Sequence, residues 1–161
     1  MDELGIKSSD QSILITTTVV FFLLPSSFLF YERHYTHAVC NLLSGIVSIC
    51  YWTNPTSTTF HTVDIITSRI STGVYFCSTL YYSYYTSSEH IISTILLMSQ
   101  VIFFYAKSRD AYCNRNDSWV VYHAGFHFAC FMAIAFCYVL MDNINHTSST
   151  FCIFPSHVYL Q

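Results

Sequence analysis

The sequence predicts an all-α integral membrane protein with about five transmembrane helices in a single bundle. Of its 161 residues, 53% are hydrophobic, 18% are aromatic and 9% are charged, whereas soluble domains carry about 25% charged residues. A soluble chain of this length has too little interior to bury so much apolar surface. In a bilayer, that surface can contact lipid instead. The net charge of -3 excludes no fold but gives no basis for a nucleic-acid partner. Membrane lipids are the expected surroundings, and a homo-oligomer is left open.

Five apolar segments follow one another along the chain, and polar connections separate them. Stretches such as "VVFFLLPSSFLF" lack the two-residue alternation of a membrane β-strand, so helices are favoured. A spanning helix needs about 20 residues, which makes the second and fourth segments short. Residues 1–161 are predicted to form one transmembrane domain with a polar tail over 142–161. The predicted helices cover residues 13–31, with a kink at Pro25, and residues 37–53, 63–82, 90–106 and 118–141.

Five crossings place the two termini on opposite sides of the membrane. We call the side of the N-terminus side A and the opposite side, which carries Arg33, side B. The basic residues predicted on side A are Lys7, Lys107, Arg109 and Arg115. Because basic residues concentrate in cytosolic loops, the N-terminus is predicted to be cytosolic. The C-terminal tail, with a usable glycosylation sequon at Asn145, then lies in the lumen or outside.

Ionisable residues within the spanning segments are the candidate functional residues. His123 and His127 lie four residues apart in "WVVYHAGFHFACF" and so share one face of a helix. The fifth helix starts at side A, as does the third helix with Asp64, and the second helix ends there after Ser48. The topology therefore brings Ser48, Asp64 and the histidine pair to one membrane depth. The alternatives are that the histidines are solvated residues at a helix border and that Asp64 forms a buried ion pair with Arg69.

The histidine pair suits zinc chemistry. Two neutral imidazoles at this spacing can take two positions of a tetrahedral Zn²⁺, and a third protein ligand and a water complete a catalytic site. The metal makes hydroxide available for attack on an acyl carbon. Asp64 can orient or deprotonate that water, and Ser48 can hold the water or an oxyanion. A haem site is the lesser alternative, since it needs axial histidines at matched depth and His37 and His90 start at side B.

Three sequence motifs resemble those of the CREST superfamily of membrane hydrolases, which includes alkaline ceramidases, adiponectin/progestin-type receptors and myomaker-like proteins. "SICYW" falls where the family has a Ser followed by a His, "HTVDIITSRIS" resembles its third helix, and "YHAGFH" resembles the His pair of its last helix. The similarity is best over residues 22–71 and 119–128. The resemblance implies zinc-dependent hydrolysis of lipid amides or esters. His123 and His127 would then ligate zinc, and Ser48 and Asp64 would attend the metal-bound water.

The sequence departs from the family in two respects. Family members have seven helices, so this chain is predicted to be short by two helices between the third helix and the His-pair helix. Trp52 stands where the first zinc-binding His is expected, and an indole nitrogen is a donor only. His61, just before Asp64 on side A, is the internal residue that could supply a third ligand. The sequence therefore predicts a divergent relative, and the alternative is a non-enzymatic membrane protein that keeps the fold and binds lipid or a partner.

Overall fold

The computed structural model describes residues 8–151, with side chains described for residues 8–144. This part of the chain is all-α, as predicted, and contains five helices. Three of them are long and apolar enough to cross a membrane: α1, α4 and the 119–144 part of α5. The helices are α1 Ser8–Tyr31, α2 Tyr35–Thr53, α3 Thr58–Thr86, α4 Ser88–Cys113 and α5 Trp119–Phe151.

Most of the helices extend beyond the apolar segments that predict them. α3 begins at Thr58 because the Ser57 hydroxyl caps it, accepting the Phe60 N–H at 3.3 Å, and Ser87 caps α4 in the same way. α5 continues to Phe151, into the segment predicted as a polar tail, since neither Gly nor Pro interrupts the sequence before Pro155. Lys7, the Asn145 side chain and the last ten tail residues, 152–161, lie outside the described parts.

The predicted irregularity of α1 takes the form of a π-helical turn. Residues Val19–Leu23 are π-helical, and the Leu24 N–H donates to the Val19 carbonyl. Pro25 follows directly; it has no N–H, and its ring would clash in a regular α-helix with the carbonyl four residues earlier. The wider turn accommodates that ring within one continuous helix.

Two arginines in the left-handed conformation end α1 and α4. Arg33 has a φ of 63° and Arg115 a φ of 53°. After α1, the His34 N–H donates to the Leu29 carbonyl at 2.9 Å and the Arg33 N–H to the Phe30 carbonyl at 3.1 Å. The same pair of bonds closes α4, so both helices end in a Schellman motif. These tight ends leave short connections, which fold consecutive helices back on one another.

The five helices form one bundle in which α5 packs against α1, α3 and α4, while α2 packs against α1 and α3. The core falls into two clusters, one at each end of the bundle. The side B cluster consists of Leu29, Ala38, Tyr75, Ile134, Cys137 and Met141. The side A cluster consists of Leu14, Tyr51, Trp52, Ala111, Trp119 and Val120. The second of these clusters adjoins the histidine pair.

A seam of polar side chains joins α2 to α3. The Ser44 and Ser71 hydroxyls are 2.7 Å apart and both are buried. Nε2 of His37 lies 3.0 Å from the Ser78 hydroxyl, and the Tyr75 hydroxyl donates to the His37 carbonyl at 3.1 Å. The polar groups that lower the apolarity of these two helices are therefore used in pairing them.

Candidate functional site

The two histidines of α5 lie side by side inside the bundle. Their ring centroids are 4.8 Å apart and the rings are inclined at 73°. His127 is 2% exposed, and the Phe22 ring contacts it edge-on at 5.3 Å. His123 lies one turn closer to side A, which follows from the four-residue spacing on one helix face. The pair is thus an interior feature of the bundle and not a solvated helix border.

Each imidazole is held through Nδ1 by a hydroxyl from another helix. Nδ1 of His127 lies 2.9 Å from Oγ1 of Thr17 on α1, and Nδ1 of His123 lies 3.2 Å from Oγ of Ser108 on α4. A hydroxyl has one proton, and Thr17 donates its proton to the Leu14 carbonyl at 3.1 Å, while Ser108 donates to the Trp119 carbonyl at 3.4 Å. When the hydroxyl protons are assigned to these carbonyls, the hydroxyls accept from the Nδ1–H groups of the imidazoles.

This assignment of the hydroxyl protons puts the proton of both rings on Nδ1. With the proton on Nδ1, the lone pair of each imidazole is on Nε2. Metal-ligating histidines are oriented by the same kind of bond from the other ring nitrogen. His123 and His127 thus offer two unprotonated Nε2 atoms that can accept a hydrogen bond or bind a metal. Thr17 and Ser108, which set this tautomer, were not among the residues predicted from the sequence.

Trp52 closes the side of the pair that faces the end of α2. Its ring lies 5.1 Å from the His123 ring at an interplanar angle of 78°, and the Trp119 ring lies 5.9 Å away on another side. Trp52 is 4% exposed, and its Nε1 is buried without a hydrogen-bond partner. The residue predicted at the position of the first zinc-binding His does adjoin the pair, but it is an indole whose ring contacts His123.

Ser48 and Asp64 lie together where α2 ends and α3 begins. Ser48 is buried on α2, and its hydroxyl is next to the Asp64 carboxyl. Oδ1 of Asp64 is buried and has no hydrogen-bond partner. The hydrogen bonds of the two imidazoles go to Thr17 and Ser108 and not to this carboxyl. Ser48 and Asp64 are therefore neighbours, and Trp52, one turn after Ser48, lies against the histidines.

The remaining predicted residues make their contacts outside the histidine pair. His61 is exposed, and its ring lies 5.1 Å from that of Tyr51. Arg69, the alternative partner of Asp64, is also exposed. At side B, His37 bonds to Ser78, and Nδ1 of His90 lies 2.7 Å from the Thr86 hydroxyl.

The donor set does not fit a zinc centre with three protein ligands. Among the side chains of residues 8–144, no group of three His, Cys, Asp or Glu residues is arranged to hold a metal ion. The histidine pair supplies two nitrogen ligands, but the neighbouring indole N–H cannot supply a third. No family model, curated protein or solved structure matches this chain.

Proposed function

We propose that this chain is a multi-pass membrane protein whose five helices all cross the bilayer, with a cytosolic N-terminus. We further propose that the cluster formed by Ser48, Trp52, Asp64, His123 and His127 binds lipid. It keeps the layout of the CREST zinc hydrolases without their three-histidine metal centre. The observation that speaks against a metal centre is the Trp52 ring, which lies 5.1 Å from the His123 ring, at the position where the hydrolases have a zinc ligand. The exposed apolar surface of the bundle is what supports lipid as the ligand.

The outer surface of the bundle supports a lipid environment around all five helices. Each helix exposes a large aliphatic side chain to at least 45%, and in a soluble monomer so much apolar surface would be a liability. One such residue per helix is Leu24, Ile46, Ile70, Ile102 and Val121, with exposures of 61%, 45%, 60%, 65% and 71%. In the bilayer these side chains contact lipid acyl chains, so their exposure carries no penalty in free energy.

The exposed tyrosines support a membrane boundary at side B. Tyrosine is enriched at membrane–water interfaces, because its ring is apolar and its hydroxyl polar. The C-terminal end of α3, the end of α1 and the start of α2 all lie at side B, and their exposed tyrosines are Tyr31, Tyr35, Tyr81, Tyr84 and Tyr85. The basic residues near the end of α4, Lys107 and Arg109, are at the opposite end, as the positive-inside rule requires for a cytosolic side A.

The second candidate function is a zinc-dependent hydrolase of lipid amides or esters. The tautomer of the histidine pair favours it, since both Nε2 atoms carry a lone pair. Elemental analysis of the detergent-purified chain separates the two candidates. We expect substoichiometric zinc in the native chain. About one zinc per chain, lost in a His123→Ala/His127→Ala double variant, would contradict a site without metal and favour the hydrolase candidate, which lipid amide or ester hydrolysis by the zinc-loaded chain would then test.

The same measurement on Trp52→His tests the alignment with the hydrolase layout. A third imidazole beside His123 completes a three-nitrogen zinc site, so we expect this variant to retain zinc that the native chain does not. Trp119→His is the matched control, because Trp119 is also a buried tryptophan near His123, at 6.4 Å between rings, but lies on the same helix. If neither variant gains zinc, Trp52 does not occupy the ligand position, and the proposed relation to the hydrolases is wrong.

A further inference from the structure

A cleft lies on the outside of α4, near its side A end. It has a volume of about 320 Å³ and is lined by Tyr105, Ala106, Arg109, Asp110 and Cys113. At 3.6 residues per turn, Ala106 and Cys113 fall close to one line along the helix, and Arg109 and Asp110 fall on either side of that line. Two small side chains therefore form the floor of the cleft, and a cation and an anion flank it.

The two charged groups are available to a ligand. Both residues are exposed, and Oδ1 of Asp110 accepts the Asn114 Nδ2–H at 3.1 Å. Within residues 8–144, Oδ2 of Asp110 has no hydrogen-bond partner, and the Arg109 guanidinium makes neither a hydrogen bond nor an ion pair. The cleft thus offers a positive and a negative group that do not neutralise each other, which suits a ligand that carries both charges.

The cleft lies where the apolar stretch of α4 ends. Residues 91–106 contain no charged side chain, and Lys107, Arg109 and Asp110 follow directly. α4 is apolar enough to cross a membrane. Its 26 residues rise about 1.5 Å each, which exceeds a hydrocarbon core of about 30 Å. Its last turn therefore reaches the lipid headgroups, and Tyr105 is a residue type that is enriched at this level.

An apolar track leads from the cleft toward the middle of the bilayer. Ile102 and Ile95 precede Ala106 by four and eleven residues, and these spacings keep all three on one face of α4. The two isoleucines are exposed to 65% and 56%. A ligand on this face meets charged groups at the headgroup level and aliphatic side chains below it, which is the arrangement of a phospholipid.

We propose that the cleft binds the headgroup of a phosphoethanolamine lipid in the side A leaflet. The Arg109 guanidinium binds the phosphate, because its planar fork matches two phosphate oxygens, and the Tyr105 hydroxyl donates to the same group. The ammonium group donates to Oδ2 of Asp110, and an acyl chain lies along Ile102 and Ile95.

The charges of the cleft distinguish this headgroup from other headgroups. A primary ammonium has N–H donors for the Asp110 carboxylate, whereas choline has none. A phosphoglycerol headgroup has no cation, so the carboxylate repels its phosphate. This inference rests on the proposed membrane location of the chain, and its site is separate from the cluster around His123.

Native mass spectrometry of the full-length chain in a non-ionic detergent counts the lipids that stay bound. The probes are dioleoyl phosphatidylethanolamine, phosphatidylcholine and phosphatidylglycerol, together with glycerophosphoethanolamine, which has the headgroup without acyl chains. We expect phosphatidylethanolamine to bind at least about tenfold more tightly than each of the others. Equal binding of the three lipids overturns the proposal. Glycerophosphoethanolamine that binds as tightly as the lipid overturns the assignment to a membrane lipid.

Arg109→Gln removes the phosphate contact and should weaken phosphatidylethanolamine binding by about tenfold. Lys107→Gln is the matched control, because Lys107 is also an exposed cation of α4 but does not line the cleft. The control should leave binding unchanged within about twofold. Equal weakening by both substitutions would mean that lipid responds to the general positive charge of this end, and the cleft would not be the site.

Asp110→Asn tests the selectivity. Without the carboxylate the ammonium loses its anionic partner, so we expect the preference for phosphatidylethanolamine over phosphatidylglycerol to disappear. A preference that persists in this variant overturns the proposed role of Asp110. All three substituted positions are exposed, so the buried core is not altered. Failure here leaves the membrane topology untouched, because topology is measured separately.

Discussion

At the scale of single residues, the histidine pair depends on hydroxyls that other helices contribute. Thr17 is half-buried and its hydroxyl lies 2.9 Å from Nδ1 of His127, whereas Thr16, its neighbour on α1, is exposed. Valine has nearly the shape of threonine but no hydroxyl, so Thr17→Val leaves a buried imidazole N–H unpaired. Thr16→Val removes a hydroxyl that faces outward, which makes it a matched control on the adjacent residue.

We expect Thr17→Val to lower the free energy of unfolding by about 1 kcal/mol, in the range of a single hydrogen bond between membrane helices. Thr16→Val should change it by less than about 0.5 kcal/mol. Equilibrium unfolding of detergent-solubilised chain by a denaturing detergent measures both. Equal effects of the two substitutions would mean that the bond between Thr17 and His127 does not stabilise the fold.

At the scale of helices, two glycines with different surroundings test how closely α1 and α2 pack. A Cβ on Gly45 would stand 2.5 Å from Leu23 Cδ2, 3.2 Å from Leu23 Cγ and 3.3 Å from Phe22 Cβ, whereas a Cβ on Gly73 would meet nothing within 4 Å. Gly45 thus allows α2 to approach the π-helical turn of α1, while Gly73 only adds backbone freedom to α3.

Alanine at these two positions should have opposite effects. Overpacking costs about 1–3 kcal/mol and outweighs the gain in helix propensity of up to about 1 kcal/mol, so we expect Gly45→Ala to destabilise the fold. Gly73→Ala has the same gain in helix propensity but no steric clash, so it should stabilise the fold by up to about 1 kcal/mol. Unfolding midpoints of the two variants check this. Destabilisation by Gly73→Ala would show that another surface packs against α3 there.

The sequence predicted the number and order of the helices but not how they rotate about their axes. Apolar segments and polar connections are visible in the sequence, so four of the five helices contain the whole segment that predicted them, and the fifth begins one residue after its segment does. The sequence also placed Trp52 and the histidine pair at one end of the bundle. Consecutive helices run in opposite directions, so the end of α2 and the start of α5 lie on the same side. Which of three consecutive threonines faces His127 depends on helix rotation, and so the role of Thr17 could not be predicted. The same holds for Ser108.

At the scale of the whole molecule, the number of crossings depends on α2 and α3. These two helices are not among those apolar enough to span by composition alone. Their polar groups bond to one another across the seam of Ser44, Ser71, His37 and Ser78, which is how polar side chains are accommodated between membrane helices. Arg69 is exposed on α3 and can extend its long side chain toward a headgroup region. On these grounds we propose that the helix pair is a part of the membrane bundle.

The connection between α2 and α3 distinguishes five crossings from three. With five, residue 56 lies on the same side as Cys113 at the end of α4; if α2 and α3 do not cross, it lies on the opposite side. Cys113 is exposed and free.

The experiment compares two chains, in both of which Cys77 and Cys152 are replaced by serine. The first keeps native Cys113 as its exposed thiol, and the second carries Thr56→Cys together with Cys113→Ser. The reagent is a membrane-impermeant maleimide added to sealed right-side-out vesicles. Since side A is the cytosolic side in our proposal, both thiols should react only after permeabilisation. Reaction of the Thr56→Cys thiol alone in sealed vesicles would leave three crossings, and reaction of both would invert the orientation.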